Sequence, residues 1–314
     1  MTIAVTGGTG FVGRHVLRLL AEQGVPVQAL ARKPAALLQS PLVTPISGDL
    51  SDSAVLAKLC DGVDAILHIA GAVSGTPAQM KQANAVGTAN VLHAADRAGV
   101  KRLVHVSSLA AREPQLSAYA HSKSEGESLV RAASRTISTL IIRPPAVYGE
   151  GDLATLPLLK ALTSNTAILP GDAQAQFSLI HAEDLARILI AAVTDTVEDV
   201  REVDDGHGAY RWNDVALCLR EMCGRPRRVH FIPRGLAMGV GLAADGLSAL
   251  TRKPGMVSAG KMRELYHPDW VSRPPGWPRD TAISLADGMR RTLSWAIAQG
   301  LLPQLPLADR SAAS

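Results

Sequence analysis

Cysteine is nearly missing from this chain: Cys60, Cys218 and Cys223 are the only three in 314 residues. Their spacing matches no metal-ligand pattern and no disulfide framework, so no metal is expected and a reducing, cytoplasmic setting is. Aromatic residues are scarce too, at 4%. A ligand pocket is therefore expected to be walled by aliphatic side chains and alanine. No apolar run reaches the roughly 20 residues a membrane span needs. The most suspicious run, GLAMGVGLAADGLSAL at 235–250, is interrupted by Asp245. It reads first as a buried or surface-packed helix, with contact to an apolar substrate or a membrane surface as the lesser alternative. The first apolar run is too short for a secretory signal and leads straight into glycines. Strong charge is missing as well, the net being +4. Arg225, Arg227 and Arg228 cluster without interleaved aromatics, which reads as solvated surface rather than a nucleic-acid site.

What the chain does carry is an alternation. Hydrophobic residues make up 47% and charged residues 19%, the ordinary range for a soluble globular protein. The length suffices for one large domain, or a core domain with a smaller lobe. Short apolar runs at 2–6, 25–31, 42–46, 64–70, 102–108 and 138–143 read as strands. Helical spacing falls between them, at 11–23 and near 52–60, 78–98 and 117–134. Strands alternating with helices imply right-handed crossovers, and their apolar character implies burial on both faces. The expectation is an α/β fold: a doubly wound, Rossmann-like parallel sheet with a smaller C-terminal substrate lobe. Residues 1–165 are expected to form the dinucleotide-binding domain, completed by a strand and helix at 177–193, and 166–314 mainly the lobe. Prolines become frequent past residue 150, HPDWVSRPPGWPRD at 267–280 reads as irregular, and a last amphipathic helix is expected from Leu285 to Ala298.

TGGTGFVG, residues 6–13, joins the first strand to the first helix. Its glycines at threes, Gly7, Gly10 and Gly13, meet the needs of a pyrophosphate cradle: a tight turn, close backbone approach to phosphate, and packing of helix on sheet. Unpaired N–H groups and the dipole at the helix start attract the negative charge. Roughly 20 residues on, a dinucleotide domain often places an acid for the ribose 2′-hydroxyl. Here the second strand ends ALARKP, with Arg32 and Lys33 and no acid. This favours NADP(H) over NAD(H).

SAYAHSK sets Tyr119 and Lys123 four apart, on one face of a helix. A phenol near pKa 10 is a poor base at neutral pH, and an ammonium beside it stabilises the phenolate. Such a pair can exchange a proton with a substrate oxygen while a hydride passes to or from nicotinamide. It follows HVSS at the end of the fifth strand, the side of an open parallel sheet where ligands bind. Ser107 and Ser108 are both candidates to hydrogen-bond the reacting oxygen, Ser108 favoured and Ser107 its rival.

With Thr6 in front, the G-x-x-G-x-x-G loop resembles that of the short-chain dehydrogenase/reductase superfamily. TGGTGFVG, GDL, ANAVGTANVLHAA, HVSS, YAHSK and RPPAVYGEGD follow one another as in its extended and atypical branch, the NAD-dependent epimerase/dehydratase family. The likeness covers about residues 2–193 well and the rest loosely. It implies Ser108, Tyr119 and Lys123 as catalytic residues, with Asn84, before VGT, supporting them. It implies a cofactor bed of Gly7, Gly10, Phe11, Val12, Gly13, Arg32, Lys33, Asp49, Leu50, Ala70, Gly71 and Pro144, with Tyr119 and Lys123. In that bed Asp49 resembles the acid at the adenine, or else punctuates the next helix, and Pro144 resembles the proline beside the nicotinamide. Two positions depart from the sugar-nucleotide epimerases of the family. Leu109 stands third in the serine segment, and Phe177 stands where they tend to carry a substrate-binding arginine. Phe177 suits a less charged substrate, as in 3β-hydroxysteroid dehydrogenase and dihydroflavonol reductase-like relatives, or else is a core residue. Trp270, Trp277 and Trp295 are candidate pocket walls or packing residues.

The leading expectation is an NADP(H)-dependent oxidoreductase of a small or lipid-like alcohol or ketone. It would have no nucleic-acid partner and no membrane span, and would be a monomer or homodimer. A sugar-nucleotide epimerase or dehydratase is the second reading. The third is a non-catalytic NADP-binding accessory subunit or redox sensor, which the presence of both Tyr119 and Lys123 disfavours.

Overall fold

Strand β1 (Ile3–Thr6) is buried at all four positions, and its apolar side chains split by parity. Ile3 and Val5 enter one hydrophobic cluster with Val16, Leu17 and Leu20 of the helix Phe11–Glu22. Ala4 enters another, with Leu56, Ile66 and Leu103. A period-two strand covered on both faces is what the middle of a parallel sheet requires. The computed structural model describes residues 1–226, 228–251, 257–273 and 282–307. In it β1 is joined by β2 (Val27–Ala31), β3 (Val43–Ser47), β4 (Ala65–His68), β5 (Arg102–Val106), β6 (Ser138–Arg143) and β7 (Asp199–Glu202). The order is β3-β2-β1-β4-β5-β6-β7, and every pairing is parallel. This is the doubly wound α/β sheet that the alternation implied. The chain winds from β1 out to β3 and returns to the other side of β1 with β4. A crevice therefore opens between β1 and β4, where ligands of such sheets bind past the strand ends.

Six strands lie where their apolar runs placed them; β7 was not expected. Its sequence DVRE is short and charged, and it pairs only with β6, at the sheet's edge. Charge is usual on an edge strand, and it hides the strand from any reading based on apolar runs. The helix expected over 78–98 is in three parts. Pro77–Lys81 is α-helical and capped by a Thr76–Gln79 box, Gln82–Val86 is π-helical, and Gly87–Ala98 is α-helical again. The stretch 177–193 divides. Its helix Ala182–Ala191 sends Leu185 and Leu189 into the cluster around Ile3 and Val5. Its strand Leu179–His181 pairs instead with Ala146–Tyr148, outside the seven strands.

The later chain gathers around a separate cluster containing Leu159, Leu169, Leu219 and Leu293. These come from the helices Leu156–Leu162, Trp212–Cys223 and Leu285–Ala298 and the strand Thr166–Pro170. The last helix has the bounds read from its periodicity. Two short parallel ladders tie this part together, Thr166–Pro170 with Arg228–Ile232 and Gln176–Phe177 with Asp269–Trp270. The helices Arg234–Thr251 and Ala259–Leu265 pack around Ala237, Met262 and Tyr266. Among the described residues, no helix is long and apolar enough to cross a membrane.

Candidate active site

The glycine loop fills the crevice between β1 and β4. Gly7 adopts φ +79°, and a Cβ on it would stand 2.6 Å from the backbone nitrogen of Ala70. A Cβ on Gly13 would stand 2.1 Å from the Gly7 oxygen. Turn, helix and the end of β4 close on one another only because these side chains are absent. Gly10 donates to the Gly7 carbonyl at 2.9 Å and opens the helix without a side-chain cap. Phe11, Val12 and Gly13 begin that helix and line the cleft, where their N–H groups have no intrahelical partner.

The cleft measures about 1230 Å³. Of the residues expected at the cofactor, Gly7, Gly10, Phe11, Val12, Gly13, Arg32, Asp49, Leu50, Ala70, Gly71 and Pro144 all line it. Lys33 does not: the chain turns there into the 3₁₀ segment Pro34–Ala36, which Lys33 precedes. Arg14 joins Arg32 on the wall. The motif reading passed over this second cation, although it stands next to Gly13. Asp49 accepts from the N–H and hydroxyl of Ser51 at 2.8 and 2.6 Å. Those bonds, and more weakly the charge of Arg32, hold its carboxyl below its ordinary value.

The helix Ala118–Ala133 brings the second group of residues. Ser117 caps it, accepting from Ala120 N–H at 2.9 Å. From this helix Tyr119 and Lys123 reach the cleft that Ser107, Ser108 and Asn84 also line. Lys123 is 5% exposed. Its ammonium donates to the Val106 carbonyl at 2.7 Å, and burial pushes it down to about 8 against the pull of Glu127. Burial pushes the Tyr119 phenol up to about 12; a hydrogen bond with Ser108 opposes that rise and the charge of Glu264 adds to it. The depression of Tyr119 by Lys123 expected from their spacing is therefore not what this arrangement produces. The ammonium is turned to Val106, and the phenol's loss of hydration outweighs the rest. At neutral pH Tyr119 holds its proton.

The two serines part company. Ser107 donates to Glu127 Oε1 at 2.6 Å, and Arg143 grips Glu127 at 2.8 and 2.6 Å. Ser107 thus belongs to a buried polar brace between β5, β6 and the Tyr–Lys helix. Ser108 faces the cleft with Tyr119 and caps the 3₁₀ turn Leu109–Arg112, its hydroxyl oxygen accepting from Ala110 N–H at 3.2 Å.

Asn84 sits on the π-helical segment, a geometry frequent at functional sites. Its Oδ1 accepts from Ala72 N–H at 2.7 Å, and its Nδ2 donates to Ala72 O and Ser122 Oγ, both at 2.9 Å. It therefore pins the strip after β4 to the Tyr–Lys helix. A Cβ on Gly71, within that strip, would stand 2.7 Å from Asn84 Oδ1 and 3.5 Å from Lys123 Nζ. Behind Asn84 lies a relay no motif announced. His68 bridges Thr6 at 2.7 Å and Thr88 at 3.0 Å, and Thr88 donates to the Asn84 carbonyl at 2.7 Å. Burial pushes His68 down to about 3, so the bridge is uncharged.

The C-terminal part adds Glu264, which the sequence reading missed. It is buried, accepts from the Ser117 hydroxyl, and pairs with Lys261 at 3.1 Å. Phe177 packs on Trp212 with ring centres 4.8 Å apart, inside the later cluster and not on the cleft. Trp270 donates to the Glu264 carbonyl at 2.8 Å, and Trp295 packs against the later cluster. Neither lines the cleft. Trp277 and Arg227 lie outside the described residues. Among the described lining residues the arginines are Arg14 and Arg32, both at the glycine-loop end.

Comparison with known proteins bears on the family and the fold. The sequence profile described as NAD dependent epimerase/dehydratase family matches residues 3–203. Ceramide reductase of Caulobacter vibrioides is 37% identical over 309 residues, 96% of each chain. The 3 beta-hydroxysteroid dehydrogenase/Delta 5-->4-isomerase of Mycobacterium tuberculosis is 30% identical over 226 residues, 63% of this chain and 61% of that one. Among solved structures, the Bordetella bronchiseptica enzyme WbmH in complex with NAD+ shares the fold. Its TM-score is 0.71, over 95% of this chain and 99% of that one, at 18% identity.

Proposed function

The chain belongs to the NAD dependent epimerase/dehydratase family as an NAD(P)-binding oxidoreductase, and we propose that it uses NADPH to reduce a ketone on a lipid-like substrate. The observation that carries this reading is that Tyr119, Lys123 and Ser108 line the same cleft as the glycine loop.

The cradle fits a dinucleotide, since a Cβ at Gly7, Gly13 or Gly71 would collide with the surrounding walls. The first-turn N–H groups would hold the pyrophosphate, Arg32 and Arg14 a 2′-phosphate, and Lys123 the ribose beside the nicotinamide. When bound, the nicotinamide supplies a hydride to the carbonyl carbon. Ser108 donates a hydrogen bond to the carbonyl oxygen and polarises it. As negative charge gathers on that oxygen, Tyr119 transfers its phenolic proton to it, leaving an alcohol and a phenolate. A phenol at about 12 keeps its proton against water yet yields it to a forming alkoxide. Asn84 acts at one remove, positioning the strip beneath the cofactor.

Substrate class follows from charge. Among the described residues both lining arginines stand at the loop end, so neither is placed for the diphosphate of a sugar nucleotide. The relatives named for ceramide and hydroxysteroid point the same way. Tyr119, Lys123 and Ser108 lining one cleft weigh against a non-catalytic subunit.

The test is a screen of long-chain oxo-lipids, steroid ketones and sugar nucleotides, following nicotinamide absorbance with NADPH and NADH in parallel. Consumption of NADPH with an oxo-lipid is expected. Conversion of a sugar nucleotide without net absorbance change would replace the reading. A preference for NADH would remove the role given to Arg32.

A further inference from the structure

The helix Arg234–Thr251 is packed on one side only. A Cβ on Gly241 would stand 2.8 Å from the Ala259 backbone, so this helix lies tight against Ala259–Leu265. Its other side presents Leu236, Val240, Leu247 and Leu250, exposed by 67%, 60%, 61% and 84%. Steps of four, seven and three place these on one stripe. The solvent face of an ordinary surface helix carries charge. Here the only charged residues in the helix are Arg234 and Asp245, and Asp245 accepts from Ala259 N–H at 3.0 Å.

Positive charge surrounds the stripe in the sequence. Between residues 225 and 263 stand eight lysines and arginines and a single acid, a net +7. The whole chain carries +4, so all the rest carries −3. Arg228, Arg234 and Arg263 are exposed. The partner helix Ala259–Leu265 rests on the start of the Tyr–Lys helix, where a Cβ on Gly260 would stand 3.0 Å from Ser117 Cβ. The stripe therefore lies one helix away from the segment that carries Tyr119.

We propose that the helix Arg234–Thr251 docks the protein on a membrane surface containing anionic lipid, its leucine stripe at the acyl boundary and the flanking cations at the headgroups. This is a helix lying in the interface, not one that crosses it. A bilayer offers what the two features ask for together, an apolar layer under a negative surface. A second copy of the chain meeting this face through a two-fold axis would set one +7 segment against another. Docking goes beyond the reductase reading and does not depend on it, because it is read without turnover.

The test floats the full chain with vesicles of phosphatidylcholine alone and of phosphatidylcholine mixed with phosphatidylglycerol, at low and high salt. Flotation with the anionic vesicles is expected, falling roughly tenfold with phosphatidylcholine alone or with salt. Leu236→Glu/Leu247→Glu should lose flotation while keeping the wild-type melting temperature and cofactor affinity. Arg228→Glu/Arg234→Glu keeps the stripe intact and should lose the preference for anionic vesicles. The proposal is overturned if the wild type floats with neither composition, or if the leucine variant floats as well as the wild type. A dimer that the leucine variant dissolves would assign the face to a second copy and overturn it equally.

Discussion

The ammonium of Lys123 donates to the carbonyl oxygen of Val106, the last residue of β5, across 2.7 Å and almost out of reach of water. Burial pushes its pKa from 10.5 down to about 8. A lysine depressed in this way contributes stability that is present above its unfolded pKa and lost as pH falls through the folded one. At neutral pH the fold therefore bears the cost of a buried cation. Lys123→Met is expected to raise stability at neutral pH by up to about 3 kcal/mol, at roughly 1.4 kcal/mol per pKa unit. The gain should fade between pH 8 and 10.5. Denaturant unfolding across that range checks both size and sign, and a variant less stable than wild type at neutral pH contradicts the account. The same variant should lose turnover, as expected where a functional group is held at the expense of stability.

Tyr119→Phe removes the proton donor and leaves the aromatic ring. Turnover should fall roughly 10²–10⁴-fold with cofactor affinity nearly unchanged. Because burial lifts the phenol to about 12, its own ionisation should leave reduction untouched through the neutral and mildly alkaline range. An alkaline loss of turnover should centre near 8 instead, where Lys123 gives up its proton. Steady-state rates against pH, for wild type and variant, check both statements.

The adjacent serines should fail differently. Ser108→Ala is expected to lower turnover about tenfold or more through the lost hydrogen bond to the reacting oxygen, with little change in stability. Ser107→Ala deprives Glu127 of a buried partner and should cost about 1–3 kcal/mol of stability. Its activity per folded molecule should survive. Thermal melts run beside initial rates separate the two.

Arg32→Ala should weaken NADPH binding roughly 10–100-fold, the worth of one charge-assisted hydrogen bond, and leave NADH binding almost unchanged. Lys33→Ala should change the binding of neither cofactor, since Lys33 is not on the cleft wall. Titration of each variant with each cofactor by fluorescence decides it.

Much of this protein is legible in its residues taken in order. Apolar runs mark six of the seven sheet strands, because strands covered on both faces are rich in apolar residues, and the edge strand VTPIS still buries Val43 and Ile46. Only the charged edge strand DVRE escapes that logic. TGGTGFVG announces the cradle because glycine is a local need, set by φ at Gly7 and by the crowding of Gly13 on Gly7. The four-residue step from Tyr119 to Lys123 is legible for the same reason, since a helix converts short spacing into a shared face.

What the chain order leaves undecided are the properties that neighbours distant in sequence confer. Ser107 and Ser108 are alike as text, and Glu127, Arg143 and Tyr119 tell them apart. Glu264, 147 positions from the Ser117 it bonds, becomes part of Tyr119's surroundings only through packing. Phe177 reads as a candidate pocket residue until Trp212 is seen against it. The pKa of Tyr119 and Lys123 is set by desolvation, the summed effect of everything that excludes water around them. Local sequence chooses which groups are present; the packing of remote segments chooses their hydration and partners, and so their chemistry.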